Sequence, residues 1–374
     1  MADRRLRVLS IFGTRPEAIK MAPVIARLTL TEGVESQVCV TAQHRQMLDQ
    51  VLNLFDIQPD YDLDLMRPDQ PLPALTASLF TGLEPVLREV QPDWVLAQGD
   101  TTTVMAASLL AYYLGVRMGH VEAGLRTGDK WQPFPEEINR RVAGVVADLH
   151  FAPTENSRQN LLREGVPEEQ IVVTGNPVID ALQTIVTRPY DLASGSLAEI
   201  PWEKRIILVT AHRRENFGEP MRHIFTALQR VAEKYAGEVH LIYPVHLNPN
   251  VQAPAYEMLG DVPNITLTEP LDYLPMVHIM KRAYLVLTDS GGLQEEAPAL
   301  GTPVLVMREV TERPEAIEAG TARLVGTDID RIVAETGRLL DDEVAYLTMA
   351  RAINPFGDGH AAERIVQALV ETST

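Results

Sequence analysis

Short apolar runs and amphipathic stretches alternate regularly along this chain. Runs rich in valine, isoleucine and leucine predict strands, and stretches with apolar residues every three or four positions predict helices. The first half yields predicted strands at residues 7–12, 37–41, 93–98, 116–121, 148–152 and 171–174. The second half yields predicted strands at residues 205–211, 238–245, 264–268, 284–288, 303–307 and 322–325. This alternation in both halves predicts an α/β protein with two parallel, doubly wound, Rossmann-like domains.

The domain boundary is predicted from a break in this alternation. A Gly-Asn-Pro turn at Asn176 and the polar stretch 188–204 separate the two halves. Residues 1–176 are therefore assigned to an N-terminal domain and residues 177–357 to a C-terminal domain. Glycine and proline break the chain before a last amphipathic helix. We expect this corner to let the final segment, residues 358–374, cross onto the N-terminal domain.

A predicted strand, two glycines and a helix start follow one another at residues 285–297. Gly291 and Gly292, after Ser290, allow the backbone to bend and to approach a ligand closely. The free N–H groups and the positive dipole end of the next helix suit a phosphate. We interpret this turn as a nucleotide diphosphate site, with Glu296 one turn later accepting hydrogen bonds from ribose hydroxyls. The alternative is a plain strand-to-helix turn capped by Ser290.

A similar turn follows the first predicted strand. Thr14 and Glu17 have the spacing of a capping box, so a helix is predicted to begin between them. Arg15 lies beside this helix start, where its guanidinium is free to reach a phosphate. The alternative is that Arg15 is an ordinary surface arginine.

Carboxylates stand at the ends of two further predicted strands. Glu122 directly follows a predicted strand and Asp100 follows another after Gly99, and ligands of parallel sheets bind at the carboxyl ends of the strands. The alternatives are that Asp100 caps the next helix and that Glu122 forms a salt bridge with Arg126. Glu136 and Glu137 lie in the first turn of a helix, after a proline-rich loop. In that position acidic residues also serve as partners of the helix dipole.

Composition narrows the classes of protein that fit. A length of 374 residues suits two domains, and 45% hydrophobic with 22% charged residues is typical of a globular protein. The net charge of −18 argues against nucleic-acid binding, so an anionic nucleotide would need a local cluster of basic groups. The single cysteine, Cys39, excludes an internal disulfide and a multi-cysteine metal site. Without a membrane-length apolar run or a typical signal peptide, we expect a cytoplasmic protein with no membrane partner.

Polar clusters mark five predicted strand ends, at residues 13–15, 99–100, 122, 212–214 and 290–292. Neither half contains the glycine-rich dinucleotide fingerprint or a P-loop motif, which argues against those two classes of enzyme. Two Rossmann-like domains that face each other across a cleft, with the nucleotide mostly on the second, form the GT-B architecture. We therefore expect a GT-B enzyme that acts on a nucleotide sugar.

Long motifs at these strand ends resemble those of one family. The motifs are GTRPEAIKMAP (residues 13–23), GHVEAGLRTG (119–128), HRRE (212–215), TDSGGLQEEA (288–297) and TERPEA (311–316). They are similar to motifs of the bacterial non-hydrolysing UDP-N-acetylglucosamine 2-epimerases, and the likeness runs from about residue 7 to residue 360. The resemblance implies reversible conversion of UDP-GlcNAc to UDP-ManNAc, by elimination of UDP to a 2-acetamidoglucal and its re-addition. It further implies a homodimer without metal or NAD, whose product supplies ManNAc units for cell-surface polysaccharide.

The resemblance also implies roles for individual residues. The family's proton-handling and sugar-positioning carboxylates, and its histidine against the diphosphate, match Asp100, Glu122, Glu136 and His212. Its nucleotide-binding positions match Arg15, Lys20, Ser290, Gly291, Gly292, Glu296 and Arg313, with uracil near Leu271 and Met276. A second UDP-GlcNAc, bound as an allosteric activator, would contact Gln43, Gln46, Gln70, Arg213 and His246. The chain departs from the family pattern at Met276, where relatives carry phenylalanine, and at Asp69, where some carry arginine.

Three other functions share part of this pattern. A hydrolysing epimerase would release free ManNAc and UDP from the same glucal intermediate. A GT-B glycosyltransferase would share the fold and the nucleotide site, but it needs an acceptor groove and has no use for three carboxylates together. A sensor that binds a UDP-sugar without turnover would not need the candidate acids and bases. The length of the shared motifs favours the non-hydrolysing epimerase.

Overall fold

The protein forms two compact units in a computed structural model that describes residues 5–41, 45–65, 67 and 70–373. The first unit contains the residues up to Gln183 together with those from Phe356 onward, and the second spans Thr184–Pro355. The final segment of the chain therefore packs with the first unit. The division lies beyond the boundary predicted at residue 176, because the helix that follows Asn176 still packs mainly with the first unit.

The first unit is built on a parallel sheet. Its described strands are β1 Leu6–Phe12, β2 Val34–Val40, β3 Tyr61–Asp62, β4 Trp94–Gln98, β5 Arg117–Val121, β6 Leu149–Ala152 and β7 Ile171–Val173. They lie in the order β3-β2-β1-β4-β5-β6-β7. The helices between them are α1 Arg15–Leu30, α2 Arg45–Leu54, α3 Leu72–Val90, α4 Thr102–Leu114, α5 Glu136–Val146, α6 Glu155–Arg163 and α7 Pro177–Val186. The sequence did not predict β3, because two residues at a sheet edge carry no apolar alternation.

The second unit has its own parallel sheet. Its strands are β8 Arg205–Thr210, β9 Val239–Pro244, β10 Ile265–Thr268, β11 Leu285–Thr288, β12 Val304–Val306 and β13 Ala322–Leu324. They lie in the order β10-β9-β8-β11-β12-β13, which is the Rossmann order, and all were predicted with ends within one residue. The helices of this unit are α8 Glu219–Lys234, α9 Pro249–Leu259, α10 Tyr273–Arg282, α11 Leu293–Ala299, α12 Pro314–Glu318, α13 Ile329–Asp341 and α14 Glu343–Ala350.

A last helix, α15 Ala361–Ser373, completes the first unit. At its start, the carboxylate of Asp180 accepts hydrogen bonds from the backbone N–H groups of Ala361 and Ala362, at 3.2 and 2.9 Å. At its end, the hydroxyl of Ser373 accepts a hydrogen bond of 2.8 Å from the indole N–H of Trp94, which is fully buried. Both ends of α15 are therefore tied to the first sheet and its helices.

Strand order reverses once in each sheet, and this reversal positions the candidate residues. The reversal lies between β1 and β4 in the first unit and between β8 and β11 in the second. Helices leave the two strands of each pair toward opposite faces, so a crevice opens at their carboxyl ends, where ligands of this fold bind. The turns that begin at Gly13 and Gly99 follow the first pair, and those that begin at Ala211 and Asp289 follow the second.

Candidate active site

The turns after β1 and β4 are locked together through Glu17. Thr14 caps α1, because its side chain accepts a hydrogen bond from the backbone N–H of Glu17. In return, the Glu17 carboxylate accepts a hydrogen bond of 2.7 Å from the backbone N–H of Thr14. This confirms the predicted capping box. The other carboxylate oxygen of Glu17 accepts a hydrogen bond of 2.6 Å from the hydroxyl of Thr101, in the turn after β4. Burial raises the pKa of Glu17, although these hydrogen bonds oppose the rise.

Two basic residues of α1 have different surroundings. Arg15 is half-buried, and its guanidinium makes no hydrogen bond or ion pair within the described part of the chain. Lys20 lies 2.6 Å from the carboxylate of Glu122, with only 16% of its side chain exposed. Arg15 therefore remains suited to an anionic ligand, whereas Lys20 supplies a positive charge to a candidate catalytic carboxylate.

Asp100 does not cap α4. The cap is Thr101, whose hydroxyl accepts a hydrogen bond of 3.4 Å from the backbone N–H of Val104. The Asp100 carboxylate instead accepts from two nitrogens of Arg140, at 2.8 and 2.5 Å. The sequence analysis missed Arg140, although its position four residues after Glu136 places the two on one face of α5.

Glu122 follows β5 in a left-handed backbone conformation, with φ of 62°. The predicted alternative, a salt bridge with Arg126, is wrong, because Arg126 pairs with Glu164 at 2.7 and 2.8 Å. Besides Lys20, the Glu122 carboxylate accepts hydrogen bonds from the side-chain amides of two residues, Gln98 and Asn176. Sequence reasoning missed both amides, because neither residue belongs to a recognised catalytic pattern.

The two carboxylates at the start of α5 have separate environments. Glu137 is fully buried and pairs with Arg140 at 3.4 Å and with Arg141 at 3.3 Å. Glu136 is the first residue of α5 and is half-buried. Glu137 therefore neutralises the buried Arg140 and the exposed Arg141 of its own helix, and Glu136 is the one that remains a candidate for chemistry.

Two buried histidines lie side by side in the sheet beneath these groups. His120 of β5 and His150 of β6 are paired positions, and a ring nitrogen of His120 lies 2.7 Å from the carbonyl oxygen of Gly99. Burial lowers the pKa of His120 to about 4 and that of His150 to about 3. Both rings are therefore neutral at pH 7, and His120 supports the turn that carries Asp100.

These histidines predict a loss of stability in mild acid. As pH falls from about 6.5 toward 4, histidines of the unfolded chain take up protons that the folded protein still excludes, so the free energy of unfolding decreases. Each histidine contributes up to about 1.4 kcal/mol per pH unit in that window. We expect His150→Leu to flatten the decline, measured by urea denaturation at pH 4.5, 5.5 and 6.5. His223→Leu, on α8, where 44% of the histidine side chain is exposed, serves as the control; equal slopes in wild type and His150→Leu would contradict the prediction.

In the second unit, the turn after β8 is organised by Asp289, which follows β11. One carboxylate oxygen of this fully buried residue accepts hydrogen bonds of 2.8 Å from the backbone N–H groups of His212 and Arg213. The same oxygen accepts a hydrogen bond of 3.1 Å from the side-chain amide of Asn216. The other oxygen lies 3.6 Å from Nδ1 of His212. Asp289 therefore fixes the backbone of His212 and places a negative charge beside its ring, a role that sequence reasoning did not assign.

Opposing influences act on the charge of His212. Burial lowers its pKa, the Asp289 carboxylate raises it, and Arg213 and His246 lower it further. The rings of His212 and His246 are stacked, with centroids 5.4 Å apart and an interplanar angle of 16°. A diphosphate beside His212 would add negative charge and favour the imidazolium form.

The turn Ser290-Gly291-Gly292 differs from the prediction in detail. Gly292, not Ser290, is the N-terminal cap of α11, and neither glycine adopts a left-handed φ. A Cβ on Gly291 would lie 3.5 Å from Nη2 of Arg213, and one on Gly292 would lie 3.4 Å from Oε2 of Glu296, both ordinary contact distances. The backbone N–H of Ser290 already donates a hydrogen bond of 2.8 Å to the hydroxyl of Thr288.

The remaining predicted nucleotide residues lie around α10 and α11. Glu296 is buried and accepts a hydrogen bond of 2.8 Å from the hydroxyl of Tyr273. Arg313 is buried and pairs with Glu295, so its guanidinium is already engaged in part. Leu271 and Met276, before and within α10, are half-buried.

The residues predicted to bind an activator are described only in part. Gln43, the side chain of Gln46, and Asp69 lie outside the described residues. The amide of Gln70 donates to Ser78 on α3 at 3.2 Å. Nε of Arg213 is buried without a hydrogen-bond partner among the described residues, and His246 is exposed.

Residues 5–41, 45–65, 67 and 70–373 contain no group of three or more histidine, cysteine, aspartate or glutamate side chains arranged to hold a metal ion. None of their helices combines the length and the apolar content that crossing a bilayer requires.

Comparison with known proteins identifies the family. Residues 26–370 match the family model described as UDP-N-acetylglucosamine 2-epimerase. The UDP-N-acetylglucosamine 2-epimerase of Salmonella typhimurium is 58% identical over 370 residues, which cover 97% of this chain and 98% of that protein. The protein of the same name from Yersinia pestis is 57% identical with the same coverage. The crystal structure of UDP-GlcNAc 2-epimerase from Neisseria meningitidis bound to UDP-GlcNAc has a TM-score of 0.90 at 47% identity, and covers 98% of this chain and 100% of that chain.

These matches confirm the resemblance inferred from the motifs. The region matched by the family model includes residues of both units and every candidate site residue from Gln43 to Arg313. The relatives are matched over almost their whole length, so no large part of them lacks a counterpart here. The chain belongs to the UDP-N-acetylglucosamine 2-epimerase family.

Proposed function

We propose that this protein interconverts UDP-GlcNAc and UDP-ManNAc by reversible epimerisation at C2. The observation that carries the proposal is the cluster of charged pairs at the ends of β4 and β5, Asp100 with Arg140 and Glu122 with Lys20. The relative from Neisseria meningitidis binds UDP-GlcNAc, and it shares the fold over nearly the whole chain. Carboxylates held beside positive charges are suited to moving a proton on such a substrate.

The proposed reaction proceeds through elimination and re-addition. A base removes the C2 proton, the C–H electron pair becomes the C1–C2 double bond, and the C1–O bond breaks so that UDP leaves with that bond pair. The products are 2-acetamidoglucal and bound UDP. UDP then attacks C1 again while an acid delivers a proton to the opposite face of C2, which gives the epimer. Departure of UDP lowers the cost of removing a proton that is otherwise only weakly acidic.

The two units supply different parts of this chemistry. In the first, Asp100, Glu122 and Glu136 handle the protons and position the sugar, and Arg15 and Lys20 contribute positive charge to the binding of the nucleotide. In the second, His212 stabilises the departing diphosphate, because an imidazolium ion in a buried setting interacts strongly with phosphate. Ser290, Gly291, Gly292, Glu296 and Arg313 bind the nucleotide, with uracil near Leu271 and Met276.

Proton NMR in heavy water tests this proposal. UDP-GlcNAc incubated with the enzyme, without added metal or NAD, is expected to yield UDP-ManNAc that carries deuterium at C2. Accumulation of free ManNAc and UDP would indicate a hydrolysing enzyme instead. An unchanged spectrum would contradict epimerisation and favour a transferase or a sensor.

Activation by a second UDP-GlcNAc is part of the proposal. It predicts a lag or a sigmoid rate against UDP-GlcNAc, and slow turnover when UDP-ManNAc is the sole substrate. Gln43, Gln46, Gln70, Arg213 and His246 would bind the activator. We expect Arg213→Ala to weaken the activation, since it removes a guanidinium but keeps the backbone N–H that donates to Asp289. Hyperbolic kinetics in both directions would contradict an activator site.

The remaining parts of the proposal concern assembly and use of the product. We expect a homodimer, which sedimentation velocity would detect, and we expect UDP-ManNAc to supply ManNAc units for cell-surface polysaccharide. A monomer at the concentrations used in the assay would exclude the dimer without affecting the chemistry.

A further inference from the structure

The carboxylate of Glu122 is held by donors from three separate segments. Nζ of Lys20, on α1, lies 2.6 Å from Oε1, and Nδ2 of Asn176 donates to the same oxygen at 2.9 Å. Nε2 of Gln98, at the end of β4, donates to Oε2. Glu122 and both amide residues are buried, with 5% or less of each residue exposed. The direction in which this carboxylate points is therefore set by its neighbours and not by solvent.

An ammonium and an amide act differently on a carboxylate. Lys20 supplies a charge that attracts from any direction, whereas the amide of Asn176 donates along a defined line. The side chain of Asn176 is itself fixed, because its oxygen accepts a hydrogen bond of 3.3 Å from the backbone N–H of Val178. The donor that sets the orientation of Oε1 is therefore Asn176.

Asn176 also lies where two passages of the chain meet within the first unit. The backbone N–H of Asn176 donates a hydrogen bond of 2.7 Å to the carbonyl oxygen of Phe356, the residue at which the chain returns to this unit. The neighbouring backbones touch: a Cβ on Gly175 would lie 3.1 Å from Cα of Gly357. Both glycines have φ in the left-handed region, at 84° and 132°, so side chains are excluded on conformational grounds as well.

We propose that Asn176 is a positioning residue for epimerisation, which orients the Glu122 carboxylate and anchors it to the returning chain at Phe356. This inference rests on the proposed function, in which Glu122 handles a proton of the sugar. Asn176 touches no substrate in this role. It acts through Glu122, and its removal is expected to impair turnover more than substrate binding.

The test is Asn176→Asp, which keeps the shape of the side chain, its hydrogen bond with Val178 and its backbone bond with Phe356. The change replaces a donor with a second carboxylate at hydrogen-bond distance from Glu122, and two such groups resist simultaneous ionisation. We expect kcat at pH 7 to fall at least about 10-fold with KM changed less than about 3-fold, and the acid limb of the kcat–pH profile to move up by about one pH unit. Among the described residues, Lys20 pairs with Glu122, and His120 interacts with it electrostatically. Burial keeps His120 neutral across this range.

Two companion variants make the outcome specific. Asn176→Ala removes the donor without adding charge, so kcat is expected to fall while the acid limb moves less than in Asn176→Asp. Gln183→Ala is the matched control. The amide of Gln183 donates a hydrogen bond of 3.1 Å to the carbonyl oxygen of Asp358, so Gln183 also links α7 to the returning chain. This amide does not bond to Glu122. We expect wild-type kcat and pH profile for this control.

The outcomes separate this inference from the proposed function. Wild-type kcat and pH profile in either folded Asn176 variant, or an equal loss in Gln183→Ala, would overturn the positioning role while the wild type remains active. If the wild-type protein itself does not epimerise UDP-GlcNAc, the proposed function fails instead.

Discussion

Asp100→Asn is expected to lower kcat for epimerisation by about 10²–10⁴-fold, the usual contribution of a positioned acid or base. The variant keeps the size of the side chain but removes the charge that pairs with Arg140 through two nitrogens. Arg140 retains Glu137 as a partner at 3.4 Å, so it is not left as an isolated buried charge. UDP should still bind, because Asp100 is not among the residues proposed to contact the nucleotide. The measurements are kcat by NMR and UDP affinity by calorimetry.

A second ion pair of the first unit provides a matched control for Asp100→Asn. Arg126 pairs with Glu164 through two nitrogens, at 2.8 and 2.7 Å, and its side chain is 7% exposed against 8% for Arg140. Glu164→Gln therefore removes an ion pair of similar geometry and burial at another place. We expect a similar change in melting temperature but wild-type kcat. Similar losses of kcat in both variants would mean that Asp100 contributes only structure.

Asp289→Asn is expected to lower the affinity for UDP about 10-fold, or about 1.4 kcal/mol, by weakening the charge on His212. The Asp289 carboxylate raises the pKa of His212, whereas burial, Arg213 and His246 lower it. Without that negative charge the pKa of His212 falls further, so less imidazolium is present at pH 7 to hold the diphosphate. An NMR titration of the His212 ring and calorimetry with UDP would measure both effects.

Tyr243→Phe is the control for Asp289→Asn. The hydroxyl of Tyr243 donates a hydrogen bond of 2.6 Å to the carbonyl oxygen of Ala211. Removal of this hydroxyl therefore loosens the same turn without changing a charge. We expect a small loss of stability, about 1 kcal/mol, with UDP affinity close to that of wild type. If Asp289→Asn binds UDP as tightly as this control and its His212 titrates as in wild type, the charge on Asp289 does not act through His212.

The arrangement of strands was predictable because it depends on local pattern. Buried parallel strands are short apolar runs, and the alternation with amphipathic helices specifies the doubly wound class. The capping box at Thr14 and Glu17 was equally local and was confirmed. β3 was missed because a two-residue edge strand such as Tyr61–Asp62 is defined by its neighbour in space and not by its own composition.

The partners of the site residues could not be predicted, because they are distant in the sequence. Asp100 pairs with Arg140, and Glu122 accepts from Lys20 and Asn176, so each pairing depends on how helices and loops pack at the strand ends. Local reasoning offered nearer partners instead, a helix cap for Asp100 and Arg126 for Glu122. Both were wrong, because Thr101 caps the helix and Arg126 pairs elsewhere.

The glycines after β11 show a different limit of sequence reasoning. A Gly-Gly pair was read as a flexible bend, yet neither residue adopts a left-handed φ. A Cβ on either residue would meet Arg213 or Glu296 only at ordinary contact distances, 3.5 and 3.4 Å. Neither a left-handed φ nor a close neighbour therefore requires glycine at these two positions, which the Gly-Gly pair in the sequence does not reveal.

The inserted position of the second unit has a consequence for biosynthesis. A ribosome makes Thr184–Pro355 in full before it makes α15, the last element of the first unit. All residues of the second unit therefore exist before the first unit gains the helix whose Ser373 bonds to Trp94. Until that helix docks, Trp94, fully buried in the finished protein, lacks part of its cover. A released chain that ends shortly before residue 356 would thus hold a complete second unit and an incomplete first one, a natural substrate for chaperones.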